Sequence, residues 1–382
     1  MGYLDEVRKE IDEIDEKLLP LIVKRMDAAK KVAAIKKEHN IPVLNSQREE
    51  EILKEMGEKG GEYASAVKIA YSTFMDISRA LQHEILGSGE ALRKEITAGC
   101  SEKGAENPRV ICQGTEGAYS AKAAEMFFGD ASEYDRFFCK SFEEIFSSVA
   151  SGEADFGVVP VENSTAGSVH ENFDLIMKYR LYIAGAVDLP VCHCLCAAEG
   201  AELDTISDVI SHPQGLMQCK EFTESHGFNT ISAENTAFAA ERVSQSGRTD
   251  IAAICSEEAA KKFGLKILKK NIQSIPHNTT RFLIISKKLI IPENAHKISL
   301  IFSLPHVTGS LYRILGRFAV CGLNLTKLES RPVKSSGFSY LFYLDFTGSV
   351  RDNETLNLLC ALYDELPEFT FLGNFRETEN EN

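Results

Sequence analysis

Residues 8–37, RKEIDEIDEKLLPLIVKRMDAAKKVAAIKK, decide how the N-terminal part of the chain folds. Around and within them, Leu4, Val7, Ile11, Ile14, Leu18, Leu21, Val32 and Ile35 recur at steps of three and four, the period of a helix with one apolar stripe to bury. Arg25 lies on that stripe. Lys36, eleven residues on, falls about 20° away around the axis and roughly 16 Å along it, so both cations can converge on one small anion. Arg8 is roughly 26 Å from Arg25 along the same helix. A site that uses all three therefore takes Arg8 from a second, antiparallel copy, and the expectation is an intertwined homodimer. The same pattern also suits cations that flank a seam and snorkel to water. Pro20, in mid-helix, removes a backbone hydrogen bond and can kink the axis at a cost of roughly 3 kcal/mol.

Outward from this stretch, VRKEIDEIDEKLL (7–19), KRM (24–26), VLNSQREEEIL (43–53) and the segment Ser78 to Gln82 stand in the order of a known signature. Residues 1–90 resemble the all-α chorismate mutase family of the AroQ type. The resemblance implies Arg8, Arg25, Lys36 and Arg48 as site cations, with Glu49, Ser78 and Gln82 as polar partners. Asn45 stands where many members have an acid near the substrate hydroxyl. The implied reaction is the rearrangement of chorismate to prephenate, which needs no nucleophile, only a compact conformer and stabilisation of charge growing on the ether oxygen. Arginines would clamp the two carboxylates bidentately, and Lys36 and Gln82 would donate to the ether oxygen.

At 382 residues the chain has room for two or three domains, and its 44% hydrophobic and 26% charged fractions are ordinary for soluble globular protein. A net charge of -14 argues against nucleic-acid and anionic-membrane partners. It leaves anionic substrates open, because clustered arginines set the local field. No secretory signal or membrane-spanning run is visible. Ten scattered cysteines suit free thiols in a reducing, cytoplasmic setting.

Residues 91–107 lose clear periodicity and gain Gly, Ser and charge, as a linker does. From residue 108 to 286, short apolar runs (RVICQG, DFGVVPV, DIAAICS, TRFLIIS) alternate with helix-like stretches, implying an α/β domain with a largely parallel sheet. After a boundary near IIPENAHK, residues 297–376 read as βαββαβ, a ferredoxin-like sandwich of the α+β class, and the tail ETENEN reads as frayed.

Three segments of the middle domain place small polar residues just after strand-like runs, where open α/β sheets bind ligands: GVVPVENSTAGSV (157–169), SHPQGLMQC (211–219) and HNTTRF (277–282). Taken singly, each is equally a cap or a turn. Together with QGTEGAYS (113–120) and AENTAFAAE (233–241) they resemble the prephenate dehydratase family. That resemblance implies two α/β subdomains meeting at a cleft, as in periplasmic binding proteins, and decarboxylation of prephenate with loss of its ring hydroxyl to give phenylpyruvate. It implies Thr280 as hydrogen-bond donor to the departing hydroxyl, Arg281 as carboxylate clamp, and Glu162, Asn163, Ser164, Ser211, Gln214 and Gln218 as further site residues, with Glu234 a looser match. A structural pairing of Arg281 is the competing reading. Cys192, His193, Cys194 and Cys196 invite a metal site. In an extended strand, however, the cysteines share one face and His193 takes the other, so no metal is expected. No G-x-G-x-x-G follows a strand, which excludes the usual nicotinamide site, and no cofactor is expected.

TGSLYRIL (308–315) and NLTKLESRP (324–332) resemble the ACT domain appended to prephenate dehydratases. This implies L-phenylalanine as an inhibitory effector, held by Gly309, Ser310, Leu311, Asn324, Glu329 and Ser330. The helix N-terminus would meet its carboxylate and Glu329 its ammonium. Ser310 replaces the alanine usual in the motif. The combined expectation is a bifunctional enzyme acting on chorismate and prephenate, a homodimer or a tetramer. Its rivals are a dehydratase whose mutase part is impaired by Pro20 and Asn45, and a sensor without catalysis.

Overall fold

The computed structural model describes residues 2–102, 104–130, 132–332 and 340–379. Val333, the first residues of the predicted strand FSYLFYLDFTG (Phe338 and Ser339) and the last three residues of the tail lie outside them. The chain divides into two compact units, residues 1–95 with 301–370 and residues 96–300 with 371–382.

The first unit opens with α1 (Gly2–His39), α2 (Ser46–Lys59) and α3 (Ala64–Leu86), with α1 and α2 packed on α3. Asn45 starts α2 by accepting the N–H of Arg48 at 3.1 Å, and Gly87 ends α3 with φ +70°, the left-handed conformation of a helix stop. α1 runs through Pro20 as one element. The expectation that its stripe is buried fails within one chain. Leu4, Val7, Ile11 and Ile14 are 51–66% exposed, and the buried side chains described on α1 are Ala29 and Ala33. A further correction concerns residues 91–107, much of which forms α4 (Glu90–Ser101) rather than a linker. Leu92 and Ile96, one turn apart, are 1% and 2% exposed, so a two-residue apolar face sufficed.

The second unit holds two sheets. The chain forms β1 (Arg109–Gln113), α5 (Tyr119–Phe128), β2 (Asp135–Cys139), α6 (Phe142–Ser151), β3 (Phe156–Asn163), β4 (Gly167–Ser168), α7 (His170–Tyr179) and β5 (Tyr182–Pro190). It then crosses to a second sheet built from β6 (Cys194–Ala197), β7 (Asp208–Ser211), α8 (Pro213–Gln218), α9 (Lys220–Ser225), β8 (Asn229–Ser232), α10 (Thr236–Ser246), β9 (Ile251–Cys255), α11 (Glu257–Lys262) and β10 (Lys266–Lys269). β11 (Thr279–Ser286) returns to the first sheet. The orders are β5-β11-β3-β1-β2, with β4 on β3, and β10-β6-β9-β7-β8. The sheets are mixed, not largely parallel. Pairs such as β1–β2 and β7–β8 are parallel because a helix returns the chain, whereas β11 meets both β3 and β5 antiparallel and β6 meets β9 and β10 the same way. Strands such as β9, IAAIC, are buried throughout, which is why they read as apolar runs without alternation.

The C-terminal segment adds β12 (Lys297–Ser303), α12 (Ser310–Val320), β13 (Asn324–Pro332), β14 (Tyr340–Thr347), α13 (Asn353–Glu365) and β15 (Phe369–Glu379). In the first unit the order is β13-β14-β12, with Ser303 N–H donating to Glu368 at 3.0 Å beside the start of β15. In the second unit, β15 pairs in parallel with β5 from Arg376 to Glu379. No helix among the described residues is long and apolar enough to cross a membrane.

Candidate active sites

In the helical part, Arg25 donates to Ser78 Oγ at 2.7 Å and to the Phe74 carbonyl at 2.9 Å, and its guanidinium lies 5.5 Å from the Phe74 ring centre. Two predicted site residues, one on α1 and one on α3, thus meet. Lys36 Nζ donates to the Val43 carbonyl, and burial lowers its pKa against the opposing pull of Glu49. Gln82 is 7% exposed, and its Oε1 has no hydrogen-bond partner among the described residues. Arg48 is exposed and pairs with Glu51 at 3.3 Å, and Asn45 is engaged as the α2 cap. Arg8 is exposed beside Asp5 at 3.4 Å. The fold therefore gathers Arg25, Lys36, Glu49, Ser78 and Gln82 around α3 and leaves Arg8 out.

Sequence reasoning missed Arg79, next to Ser78. Its side chain is 9% exposed and forms close ion pairs with Glu49 and Asp76, while Nε lies 3.6 Å from Glu365 on α13. Glu365 also lies 2.7 Å from His83 Nε2 and 2.8 Å from Arg317 Nη1. Burial pushes the Glu365 carboxyl up, but His83, Arg317 and Arg79 together outweigh it and hold the carboxyl below its ordinary value. Burial raises Asp76 despite Arg79 beside it. An arginine on a helix reads as surface in a sequence. Asp76 is its neighbour one turn back on α3, and only the tertiary fold supplies Glu49 and Glu365.

The second site lies where the two crossings between the sheets of the middle domain bring β3, β11 and α8 together. Asn163 ends β3 opposite Thr280 on β11, and its Nδ2 donates to Thr280 Oγ1 at 2.9 Å and Asn278 Oδ1 at 2.7 Å. Its Oδ1 accepts the backbone N–H groups of Thr165 and Ala166 at 3.1 and 3.0 Å, a turn that needs the ENST sequence. From α8, Gln218 Nε2 reaches Thr165 Oγ1 at 3.1 Å and Asn163 Oδ1 at 3.3 Å. Ser164 Oγ accepts the Thr279 N–H at 2.9 Å and so pins the turn to β11. Ser211 is fully buried and donates to the Ile254 carbonyl at 2.7 Å, which makes it a support for α8. Gly215 is required there, because a Cβ would sit 2.9 Å from Ser211 Oγ. Gln214 is half-buried at the start of α8, and Glu234 is exposed.

Strand geometry separates two predicted residues from Thr280. Glu162 and Arg281 are register partners one step from the Asn163–Thr280 pair, so the pleat turns both to the opposite face. Arg281 forms a two-toothed pair with Asp188 at 2.8 and 2.7 Å and lies 3.3 Å from Glu377. The expected carboxylate clamp is thus an internal ion pair. No group of three or more His, Cys, Asp or Glu side chains among the described residues is placed to hold a metal.

In the C-terminal segment, Gly309 (φ +83°) starts α12, with Ser310 and Leu311 in its first turn, and Ser310 Oγ donates to the Pro305 carbonyl at 2.8 Å. Glu329 lies 3.5 Å from Lys327, and Ser330, the next residue of β13, faces the other side of the strand. Asn324, the first residue of β13, is exposed. The predicted effector set therefore does not share one face.

The family described as Chorismate mutase type II matches residues 7–83, and that described as Prephenate dehydratase matches residues 110–289. The bifunctional chorismate mutase/prephenate dehydratase of Aquifex aeolicus (strain VF5) is 32% identical over 378 residues, covering 98% of this chain and 98% of that protein. The chain belongs to this bifunctional family. It is a chorismate mutase and a prephenate dehydratase in one polypeptide. Arogenate dehydratase/prephenate dehydratase 1, chloroplastic, of Arabidopsis thaliana is 39% identical over 281 residues, 69% of this chain and 71% of that protein. The solved structure of prephenate dehydratase in complex with L-Phe from Arthrobacter aurescens aligns with TM-score 0.65 and 29% identity over 70% of this chain and 90% of that one. The first family match covers the helices around Arg25 and the second covers the Asn163–Thr280 cleft.

Proposed function

We propose that the chain, in the cytoplasm, turns chorismate into phenylpyruvate in two steps at separate sites, under inhibition by L-phenylalanine. The observation that carries the dehydratase assignment is the bond from Asn163 Nδ2 to Thr280 Oγ1. Because Thr280 accepts there, its own proton is free to point at the substrate. In prephenate the bond from the ring to its carboxylate breaks and releases carbon dioxide. The electron pair enters the ring, and the ring hydroxyl leaves as water, taking a proton that Thr280 Oγ1 hands on and regains from solvent. Glu162 and Arg281 brace the strand end from the other face.

For the mutase, Arg25 and Lys36 bind the dianion with Arg8 from a second copy, and Gln82, whose buried Oε1 has no partner among the described residues, donates to the ether oxygen through its amide N–H. The exposed stripe of α1 supports that homodimer, because burying it needs a matching apolar face and an antiparallel α1 is one. The C-terminal βαββαβ module acts as the ACT-type sensor. The similarity to the prephenate dehydratase of Arthrobacter aurescens, solved in complex with L-Phe, supports the choice of effector.

Product analysis tests this directly. Purified protein given chorismate, and separately prephenate, should form phenylpyruvate from both, less so with L-phenylalanine. Phenylpyruvate from prephenate alone would remove the mutase assignment. Insensitivity to phenylalanine would remove the sensor.

A further inference from the structure

His193 is 2% exposed, lies between the two sheets of the middle domain, and has no part in the chemistry above. Its backbone N–H donates to Gln273 Oε1 at 3.0 Å, its Nε2 is 2.8 Å from Gln218 Oε1, and its Nδ1 is 3.3 Å from the Tyr119 hydroxyl, which also donates to the Cys192 carbonyl at 2.8 Å. The hydrogen-bond directions from Asn163 to His193 Nε2 are forced. Two backbone N–H groups, of Thr165 and Ala166, point at Asn163 Oδ1, so that atom is the oxygen and the NH2 group faces Asn278 and Thr280. Facing that oxygen, Gln218 presents its NH2 and turns its carbonyl toward His193. A carbonyl only accepts, so His193 carries a proton on Nε2. Nδ1 is then bare, and the single Tyr119 proton is shared between it and the Cys192 carbonyl. Burial pushes the imidazole pKa below its ordinary value, consistent with a neutral ring having one proton.

We infer that His193 is a positioning residue of the dehydratase: its Nε2–H fixes the Gln218 amide, Gln218 holds Asn163, and Asn163 leaves the Thr280 proton free for the departing hydroxyl. Nothing in the sequence motif distinguishes this imidazole from a core histidine. The inference rests on the assignment of Thr280 to the reaction.

Two measurements test it. Long-range 15N–1H correlation on the full chain labelled in histidine, with His193 identified by its loss in His193→Gln, should show Nε2–H and a bare Nδ1 near neutral pH; the Nδ1–H tautomer would overturn the inference without any variant having to fold. In kinetics, His193→Leu should lower kcat on prephenate about tenfold or more with little change in KM, since a hydrogen bond and the order it imposes are lost. His193→Gln, which returns an N–H donor near Nε2, should recover most of that loss. Equal losses in both variants, or none in His193→Leu, would overturn it. Full turnover in Thr280→Ala would instead sink the assignment of Thr280 and leave the tautomer standing, so the two failures are distinguishable.

Discussion

The two catalytic regions differ in how completely one chain builds them. Around Thr280, the polar groups of β3, β11 and α8 are bonded to one another within 2.7 to 3.3 Å, with the Thr280 proton left for the substrate and Asn278 Nδ2 without a partner among the described residues. Around Arg25, the same chain leaves an orphan oxygen on Gln82, an exposed Arg8 and an apolar stripe facing outward. A site set between two sheets of one domain can be finished by that domain, whereas a site strung along one long helix has no opposite wall until another helix supplies it.

The largest expected effect tests that difference. Arg8→Ala and Arg25→Ala should each abolish mutase activity and spare dehydratase activity. Mixed after co-refolding, the two dead variants should regain about a quarter of the wild-type mutase rate, because random pairing gives half mixed dimers with one intact site each. Absence of recovery would mean that Arg8 serves its own chain or none. Next in size, Thr280→Ala should cut kcat on prephenate by about 10²–10³, the usual loss when one donor to a developing charge is removed, with mutase turnover unchanged. A smaller loss would show that the closed network orients water and not the hydroxyl.

Third, Glu365→Ala should destabilise the first unit by roughly 3–5 kcal/mol in denaturant unfolding, since it strands Arg79 and Arg317 beside the mutase wall. The pH dependence follows from the sign of the shift. The folded carboxyl lies below its unfolded value, so its contribution is present at neutral pH and fades as pH falls below about 4 through the folded value. Glu365→Gln should flatten that acid limb, and an unchanged limb would assign it to other carboxylates. Smallest, Arg281→Ala should lower stability by roughly 1.5–3 kcal/mol while the KM for prephenate stays within about twofold. A large rise in KM would restore Arg281 as a substrate clamp.

Much of this was legible in the sequence. The helix period of residues 4–35, the alternation after residue 108 and the βαββαβ order at the end all appear as elements, and Asn163, Thr165, Gln218 and Thr280, from the three motif segments, do meet. What escaped had a physical reason. α4 turns Leu92, Ile96 and Gly99 to the interior, with only two apolar side chains among them, too few to raise a periodic signal among Gly, Ser and charge. Glu162 and Arg281 sit beside true neighbours of the cleft in sequence, but alternation along a strand reverses every second side chain, and a motif does not say which face is inward. Arg79 and His193 depend on partners contributed by distant segments, Glu365 for one and Gln218 for the other.

The open stripe of α1 has a consequence for the amount of enzyme. In the proposed dimer, a helix of 38 residues, about 57 Å long, that keeps its apolar side outside its own chain would tie the first reaction to encounter between copies, while the second would proceed on each copy alone. On dilution, specific activity toward chorismate should therefore fall at concentrations where that toward prephenate is still constant. The ratio of the two rates becomes a gauge of protein abundance, and a cell that makes little of this protein would process prephenate it receives more readily than it would make its own.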